Sequence, residues 1–438
     1  MRVLVVGGGY IGMYACRKLQ RKLRRSGHEL LLVSDENFMQ YQPFLPEAAS
    51  GNIEPRHVVV PLRSVLKRTT LLTGEVTRID HRGGKADVRT LDGATREVPY
   101  DVLVYGLGSV SRVLPVPGLS QRAVGFKTIS EAIHLRNQVL ARLEAASEAE
   151  DHRHREAALT FVFVGGGYAG VEAMAELEDL ARAALRSYPR LRPEDMRWVL
   201  VEATGSILPE IGENLAAYTV ERLRRRGIDV RLNTRLESAE KGVIRLSDGD
   251  AFPADTLVWT AGVRPHPLAA RSGLPVDEAG RVQADEFLRI RGLEHAWAAG
   301  DGTAVPDLTR PGQICPPTAQ HALRQARRLA RNLLRALRGR PPRPFRYANK
   351  GQLVGLGRYK GVARVMGLRL RGFPAWWLHR SYHLMMMPTI NRKVRIALDW
   401  TVGLFFRRDI TSLGSLQRPW EPFRRAAGDG REPPPSPG

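Results

Sequence analysis

Six glycines are the first residues in this 438-residue chain whose spacing could support chemistry. Gly7, Gly9 and Gly12 lie in Val5-Val6-Gly7-Gly8-Gly9-Tyr10-Ile11-Gly12. Gly165, Gly167 and Gly170 lie in Phe163-Val164-Gly165-Gly166-Gly167-Tyr168-Ala169-Gly170. Between a strand and a helix, the first glycine permits a tight turn and the second lets the backbone approach a pyrophosphate. The third lets the helix pack on the strand. The helix N-terminus then turns free N–H groups and the positive end of its dipole toward phosphates. One such motif is weak evidence; two in strand-to-helix context favour nucleotide binding over a structural turn.

A dinucleotide also needs a ribose acceptor after the second strand of its unit. After the strand predicted at 198–201 this is Glu202, whose carboxylate accepts from both ribose hydroxyls. It would repel a 2′-phosphate, so NADH is favoured over NADPH. In the first unit the strand predicted at 29–33 runs into Ser34-Asp35, and either side chain could reach the ribose.

The elements that must position these groups read as an α/β chain. Each glycine loop follows an apolar strand and opens an amphipathic helix. Two further strands, predicted at 100–105 and 255–259, lead into Gly106-Leu107-Gly108-Ser109 and Thr260-Ala261-Gly262. Gly108 and Gly262 therefore join the candidate cofactor-binding positions. A charged helical stretch is predicted at 143–158, a Pro-containing basic linker at 338–346, and a disordered Pro-rich end at 431–438.

Composition removes whole classes. With 43% hydrophobic and 26% charged residues the chain is globular rather than disordered. Its two cysteines, Cys16 and Cys315, cannot build a disulfide framework, a four-cysteine zinc site or a Cys-x-x-Cys redox centre. No metal-ligating pattern stands out. Two dinucleotide sites without zinc or a catalytic cysteine pair point to FAD plus a nicotinamide. The first strand starts at Arg2, leaving no room for a signal peptide, and no run of 18 apolar residues appears. The expected location is the cytoplasm or the cytoplasmic face of a membrane.

At this point the sequence resembles the two-dinucleotide-binding-domain flavoproteins, most closely the type II NADH dehydrogenases (NADH:quinone oxidoreductases). The resemblance runs from residue 1 to about Asp409. It is carried by Asn37-Phe38-Met39-Gln40-Tyr41-Gln42-Pro43-Phe44-Leu45-Pro46-Glu47, Gly170-Val171-Glu172, Ala299-Gly300-Asp301-Gly302 and the run from Pro316-Pro317-Thr318-Ala319-Gln320 to Ala326. It implies that Gly300 and Asp301 hold the ribitol and pyrophosphate region of FAD. It implies that Gln320 lies beside the flavin ring near a quinone pocket. Glu172 either lies near nicotinamide and flavin, as the resemblance implies, or stabilises a helix N-terminus. Where the family often has a second glutamine, this chain has Arg324, with Gln325 next. Sulfide:quinone oxidoreductases share the fold but use paired cysteines. Here Cys16 reads as a small buried hydrophobe, with Cys315 expected nearer the flavin.

The resemblance implies two Rossmann-like domains, the second inserted in the first. FAD-binding parts are expected at 1–120 and 273–340, and an NADH-binding domain with its connecting helix at 121–272. A C-terminal membrane-associating region is expected at 341–430. The net charge of +22 supports that last part, since residues 331–438 hold 22 basic against 5 acidic residues. Trp376-Trp377, Met385-Met386-Met387, Trp400 and Phe405-Phe406 lie among those cations. Eleven residues at 396–406 would span only about 16 Å as a helix, too short to cross a bilayer core of about 30 Å. They suit a segment lying in the interface of an anionic phospholipid surface. A core helix or a homodimer contact is the alternative. The expected function is FAD-dependent transfer of reducing equivalents from NADH to a membrane quinone, without proton pumping, by a peripheral enzyme. The alternatives are a flavoprotein with a soluble acceptor and one that binds nucleic acid.

Overall fold

The computed structural model describes residues 1–349 and 351–412, together with Ala426. β1 (Arg2–Val6), α1 (Tyr10–Arg25) and β2 (Glu29–Ser34) open the chain. After the short helix α2 (Leu45–Ala49) come β3 (Thr70–Asp80), β4 (Lys85–Thr90), β5 (Thr95–Pro99) and β6 (Val102–Tyr105). β7 (Ala123–Gly125), α3 (Ile129–Glu148) and α4 (His152–Leu159) lead to β8 (Thr160–Val164), α5 (Tyr168–Ala184) and β9 (Arg197–Val201). β10 (Ile228–Arg231) and β11 (Thr256–Trp259) follow, then β12 (Ala296–Ala298) and α6 (Ala319–Ala336).

These strands form two sheets. One is ordered β12-β6-β1-β2-β3-β4-β5, and the other β7-β11-β8-β9-β10. The second sheet is thus inserted between β6 and β12 of the first. In both, the strand preceding the glycine loop is central: Val6 pairs with Val33 and Tyr105, and Val164 with Val201 and Trp259. Covered on both faces, such parallel strands need unbroken apolar runs. Val3 to Val6 and Phe161 to Val164 supply them and are buried throughout.

Two local expectations need correction. The stretch 143–158 is not one helix. α3 starts on a capping box, in which Thr128 and Glu131 satisfy each other's backbone N–H groups, and ends at Glu148. Asp151 then accepts from the His154 N–H and caps α4 as a separate helix. The C-terminal region is also more than an amphipathic segment. It contains an antiparallel sheet of β13 (Gly351–Gly355), β14 (Gly361–Val365) and β15 (Leu368–Arg371), then α7 (Phe373–Met386) and α8 (Ile390–Phe405). The Pro-rich end lies outside the described residues.

α8 has 16 residues rather than eleven, or about 24 Å. Among the described residues no helix is long and apolar enough to cross a membrane. Its inner face buries Ile396 and sends the Trp400 indole N–H to Glu47 at 2.9 Å. Its outer face repeats apolar residues every fourth position: Ile390, Val394, Leu398 and Val402 are each more than half exposed. Phe405, Phe406, Trp377 and Met385 extend that surface, whereas Trp376 and Met387 turn inward.

Candidate functional site

The two glycine loops repeat each other in detail. Gly7 and Gly165 have φ of +99° and +115°, a region in which side chains are strained. A Cβ at Gly7 would lie 2.8 Å from the Gly106 carbonyl, and one at Gly165 2.8 Å from the Ala261 nitrogen. A Cβ at Gly12 or Gly170 would collide with the carbonyl oxygen of Gly7 or Gly165. At Gly9 and Gly167 it would meet nothing within 4 Å. The first and third glycines are therefore required by the protein's own packing. The second keeps open a space at a helix N-terminus, where a pyrophosphate fits. Close by, the Tyr10 and Tyr168 hydroxyls are buried without a hydrogen-bond partner among the described residues.

The ribose positions differ between the units. Glu202 follows β9, and its carboxylate accepts from the Gly166 N–H at 2.7 Å and from the Thr204 N–H and hydroxyl at 2.8 Å. Three donors fix its orientation. The counterpart in the first unit is Ser34, since Gly7 donates to Val33 O at 2.9 Å as Gly165 does to Val201 O at 2.8 Å. Ser34 is buried, and Asp35 beside it is exposed and accepts from the Glu36 N–H.

A cavity of about 380 Å³ draws its walls from both units and from the C-terminal region. It brings together Glu172 at the start of α5, Gly262 after β11, Asp301 after β12 and Gln320 at the start of α6. The glycines of the two loops, Ser34, Asp35, Glu202, Gly108 and Gly300 do not line it. Gly108 and Gly300 occupy positive-φ turns at the ends of β6 and β12. Glu172 does not stabilise its own helix N-terminus. Its carboxylate accepts from the Gly355 N–H at 2.7 Å and lies 3.3 Å from His379 Nε2 on α7. Gln320 accepts from the Tyr347 hydroxyl at 2.8 Å.

The question left by Arg324 and Gln325 resolves by contact. The Arg324 guanidinium lies 4.1 Å from the Tyr347 ring centre and donates to the Gln320 carbonyl. Gln325 is buried and accepts from the Gly300 N–H at 2.8 Å, so it fixes the Gly300–Asp301 turn. Cys315 does not line the cavity; it is buried, and burial pushes its thiol up to about 11. Cys16 is fully buried on α1, as expected of a small hydrophobe.

Sequence reading missed several cavity residues. Lys127 sits just before the α3 capping box and donates to Ser109 Oγ at 2.7 Å. Burial pushes the Asp301 carboxyl up, while Lys127 and a hydrogen bond from Ser109 pull it back. Burial lowers Lys127, against the attraction of Asp301 and Glu131. His379 and His383 both line the cavity from α7. Burial, with His379 nearby, holds His383 well below the usual imidazole range, and Tyr41 bonds it at 3.1 Å. The i, i+4 spacing of the two histidines on one helix face was the available signal; Lys127 carried none.

The groups present fit two dinucleotides meeting at a shared cavity. Residues 1–326 match the pyridine nucleotide-disulphide oxidoreductase family. The chain is 30% identical over 422 residues to a type II NADH:quinone oxidoreductase of Mycobacterium tuberculosis, covering 93% of this chain and 89% of the relative. It is 30% identical over 410 residues to a demethylphylloquinone reductase of Synechocystis, covering 91% and 95% respectively. In fold it is similar to the NDH2 structure from Plasmodium falciparum in complex with NADH. That TM-score is 0.87 at 18% identity, covering 94% of this chain and 99% of the other.

Proposed function

The chain belongs to the type II NADH:quinone oxidoreductases of the pyridine nucleotide-disulphide oxidoreductase family, and from that premise we propose which of its residues carry the reaction. It oxidises NADH, uses FAD, and passes the electrons to a quinone without pumping protons. FAD, when bound, supplies the two-electron chemistry between the hydride donor and the quinone.

The protein's part is binding, orientation and proton handling. Residues 1–120 and 273–340 are read as the two parts of the FAD domain. There Gly7, Gly9 and Gly12 cradle the pyrophosphate, Ser34 or Asp35 accepts from the ribose, and Gly108, Gly300 and Asp301 hold the ribitol side. Residues 121–272 hold NADH on Gly165, Gly167 and Gly170, with Glu202 on the ribose and Gly262 near the nicotinamide. Glu172 and Gln320 face the reacting groups from opposite units. The Glu172–His379 pair holds a carboxylate and an imidazole 3.3 Å apart at the wall, suited to passing the proton that quinone reduction consumes.

The observation that carries this reading is the shared cavity. Its walls include Glu172 of the NADH unit, Asp301 and Gln320 of the FAD unit, and His379 of the C-terminal helix pair. The exposed apolar stripe of α7 and α8 lies in the interface of an anionic bilayer at the cytoplasmic face, where quinone is dissolved. In this reading the enzyme is peripheral.

Flotation on liposomes paired with two assays tests this. Replacing Phe405 and Phe406 by Ser should release protein from vesicles and lower turnover with a long-tailed quinone. NADH oxidation with a water-soluble quinone should persist, since neither residue approaches the cavity. Wild-type protein that ignores vesicles but dimerises through this stripe, or shifts DNA in a gel, would replace the membrane reading.

A further inference from the structure

Charge counted along the sequence places the basic excess after residue 331, but the fold distributes it differently. α1 carries Arg17, Lys18, Arg21, Lys22, Arg24 and Arg25 and no acidic residue. α6 carries Arg324, Arg327, Arg328, Arg331 and Arg335, again with no acid. The two helices pack against each other, burying Leu19 and Leu23 of one and Leu329 and Leu333 of the other. Cations far apart in sequence thus share one surface. Lys18 is lowered by burial together with Arg331 and Arg327, and Arg328 by burial with Arg331 and Arg343. Among the described residues none of these side chains forms an ion pair with a carboxylate. A face of like charges that pairs with no carboxylate of the described residues attracts external anions.

Its position indicates which anion. Arg17 donates to the Pro388 carbonyl at 2.9 Å, in the turn between α7 and α8. Tyr14, with Arg327 near its ring, donates to the Met386 carbonyl. The cationic face therefore abuts the end of the apolar stripe where Met385, Ile390 and Val394 are exposed. Nucleic acid would match the charge but leave the neighbouring apolar residues in water. A bilayer takes both, with headgroup phosphates on the cations and acyl chains under the stripe.

We propose that the joined outer face of α1 and α6 is a second membrane contact, which binds anionic phospholipid headgroups and sets the enzyme's preference for negatively charged bilayers. This rests on the interfacial placement of α7 and α8 and adds a separate electrostatic site from the FAD-binding part of the chain. The apolar stripe then supplies binding to any bilayer, and the cationic face supplies lipid selectivity.

The test compares wild type with the quadruple variant Arg21→Gln, Arg24→Gln, Arg327→Gln, Arg331→Gln. Vesicles are phosphatidylcholine alone or with phosphatidylglycerol, at low and high salt. Wild type should bind both and favour the anionic vesicles, with the preference falling as salt rises. The variant should lose at least about tenfold in affinity for anionic vesicles, bind neutral vesicles as before, and keep NADH oxidation with a water-soluble quinone. Its melting temperature at low salt should equal or exceed that of wild type. A variant that keeps the wild-type anionic preference overturns the proposal while leaving the apolar anchor intact. Wild type that binds neither vesicle overturns both readings. Transfer of the four-arginine dependence to duplex DNA assigns the face to nucleic acid instead, and a large fall in melting temperature shows that the cations had internal partners.

Discussion

The two helices that follow the glycine loops begin alike and then diverge. α1 and α5 each start on a glycine facing open space and a tyrosine whose buried hydroxyl has no partner among the described residues. Beyond that first turn α1 is basic on its outer side, whereas α5 carries Glu172, Glu176, Glu178 and Asp179, all facing inward. Glu172, Glu176 and Asp179 reach the C-terminal region, whereas Glu178 pairs with Arg182 and Arg226 beside its own helix. Asp179 pairs with Lys360 at 3.1 Å and with Arg226 at 3.0 Å. Glu176 accepts from Ser50 and Asn52 at 2.8 Å and lies 3.8 Å from Arg408. One frame thus serves two ends: the loop geometry is common, and the charge beyond it decides whether the helix meets the outside or fastens another part of the chain.

The largest expected effect separates the glycines within a loop. Gly12→Val and Gly170→Val force a side chain into a carbonyl and should cost more than about 4 kcal/mol, preventing recovery of folded protein. At Gly9 and Gly167 an added Cβ has nothing within 4 Å, so Gly9→Val and Gly167→Val should fold. Gly9→Val should purify colourless, with FAD affinity down on the order of a hundredfold or more. Gly167→Val should stay yellow but fail to saturate with NADH. Flavin absorbance and thermal melting check all four, and a yellow Gly9→Val protein breaks the assignment of the first loop to FAD.

The ribose positions provide the next contrast. Glu202→Gln should weaken NADH binding by about 1–3 kcal/mol and narrow the preference over NADPH, because a charged acceptor becomes neutral. Asp35→Asn should weaken FAD retention by a similar amount if the exposed acid is the acceptor, and Ser34→Ala by less than about 1 kcal/mol. Nucleotide titrations of the three variants decide between Ser34 and Asp35. Wild type that prefers NADPH contradicts the role of Glu202.

The smallest effect concerns the acidic side of α5. Burial raises the Glu176 carboxyl to about 7, with Glu47 and Asp179 adding to the rise and Arg408 and Arg380 opposing it. A raised folded-state pKa means that this group's contribution is complete below the ordinary carboxylate range and is lost as pH rises through about 7. Glu176→Gln should flatten that loss and gain about 1–2 kcal/mol at pH 8 relative to wild type. Melting temperatures from pH 5 to 8 test it, and a variant less stable than wild type at pH 8 reverses the sign.

What could be read from sequence follows from how local each cause is. β2, β6, β9 and β11, expected at 29–33, 100–105, 198–201 and 255–259, are marked by continuous apolar runs, and the structure sets their limits within two residues of those positions. The break between α3 and α4 was missed because helical composition continues through it, and only the Asp151 cap shows the interruption. β13–β15 are short and glycine-punctuated, too weak a period to stand out beside the aromatic residues that follow. In the cavity, Lys127 and His379 come from segments with no motif of their own and meet Glu172 and Asp301 only through tertiary packing. The α1–α6 charge pattern has the same origin: neither half is unusual until the helices lie together.

The most direct test of the central claim is anaerobic stopped-flow on purified protein, following flavin absorbance through one cycle. One equivalent of NADH should bleach the bound flavin, and a quinone in detergent or liposomes should restore the absorbance within the turnover time. Bleaching without restoration by quinone, while a soluble acceptor restores it, or no bleaching by NADH at all, would contradict the account.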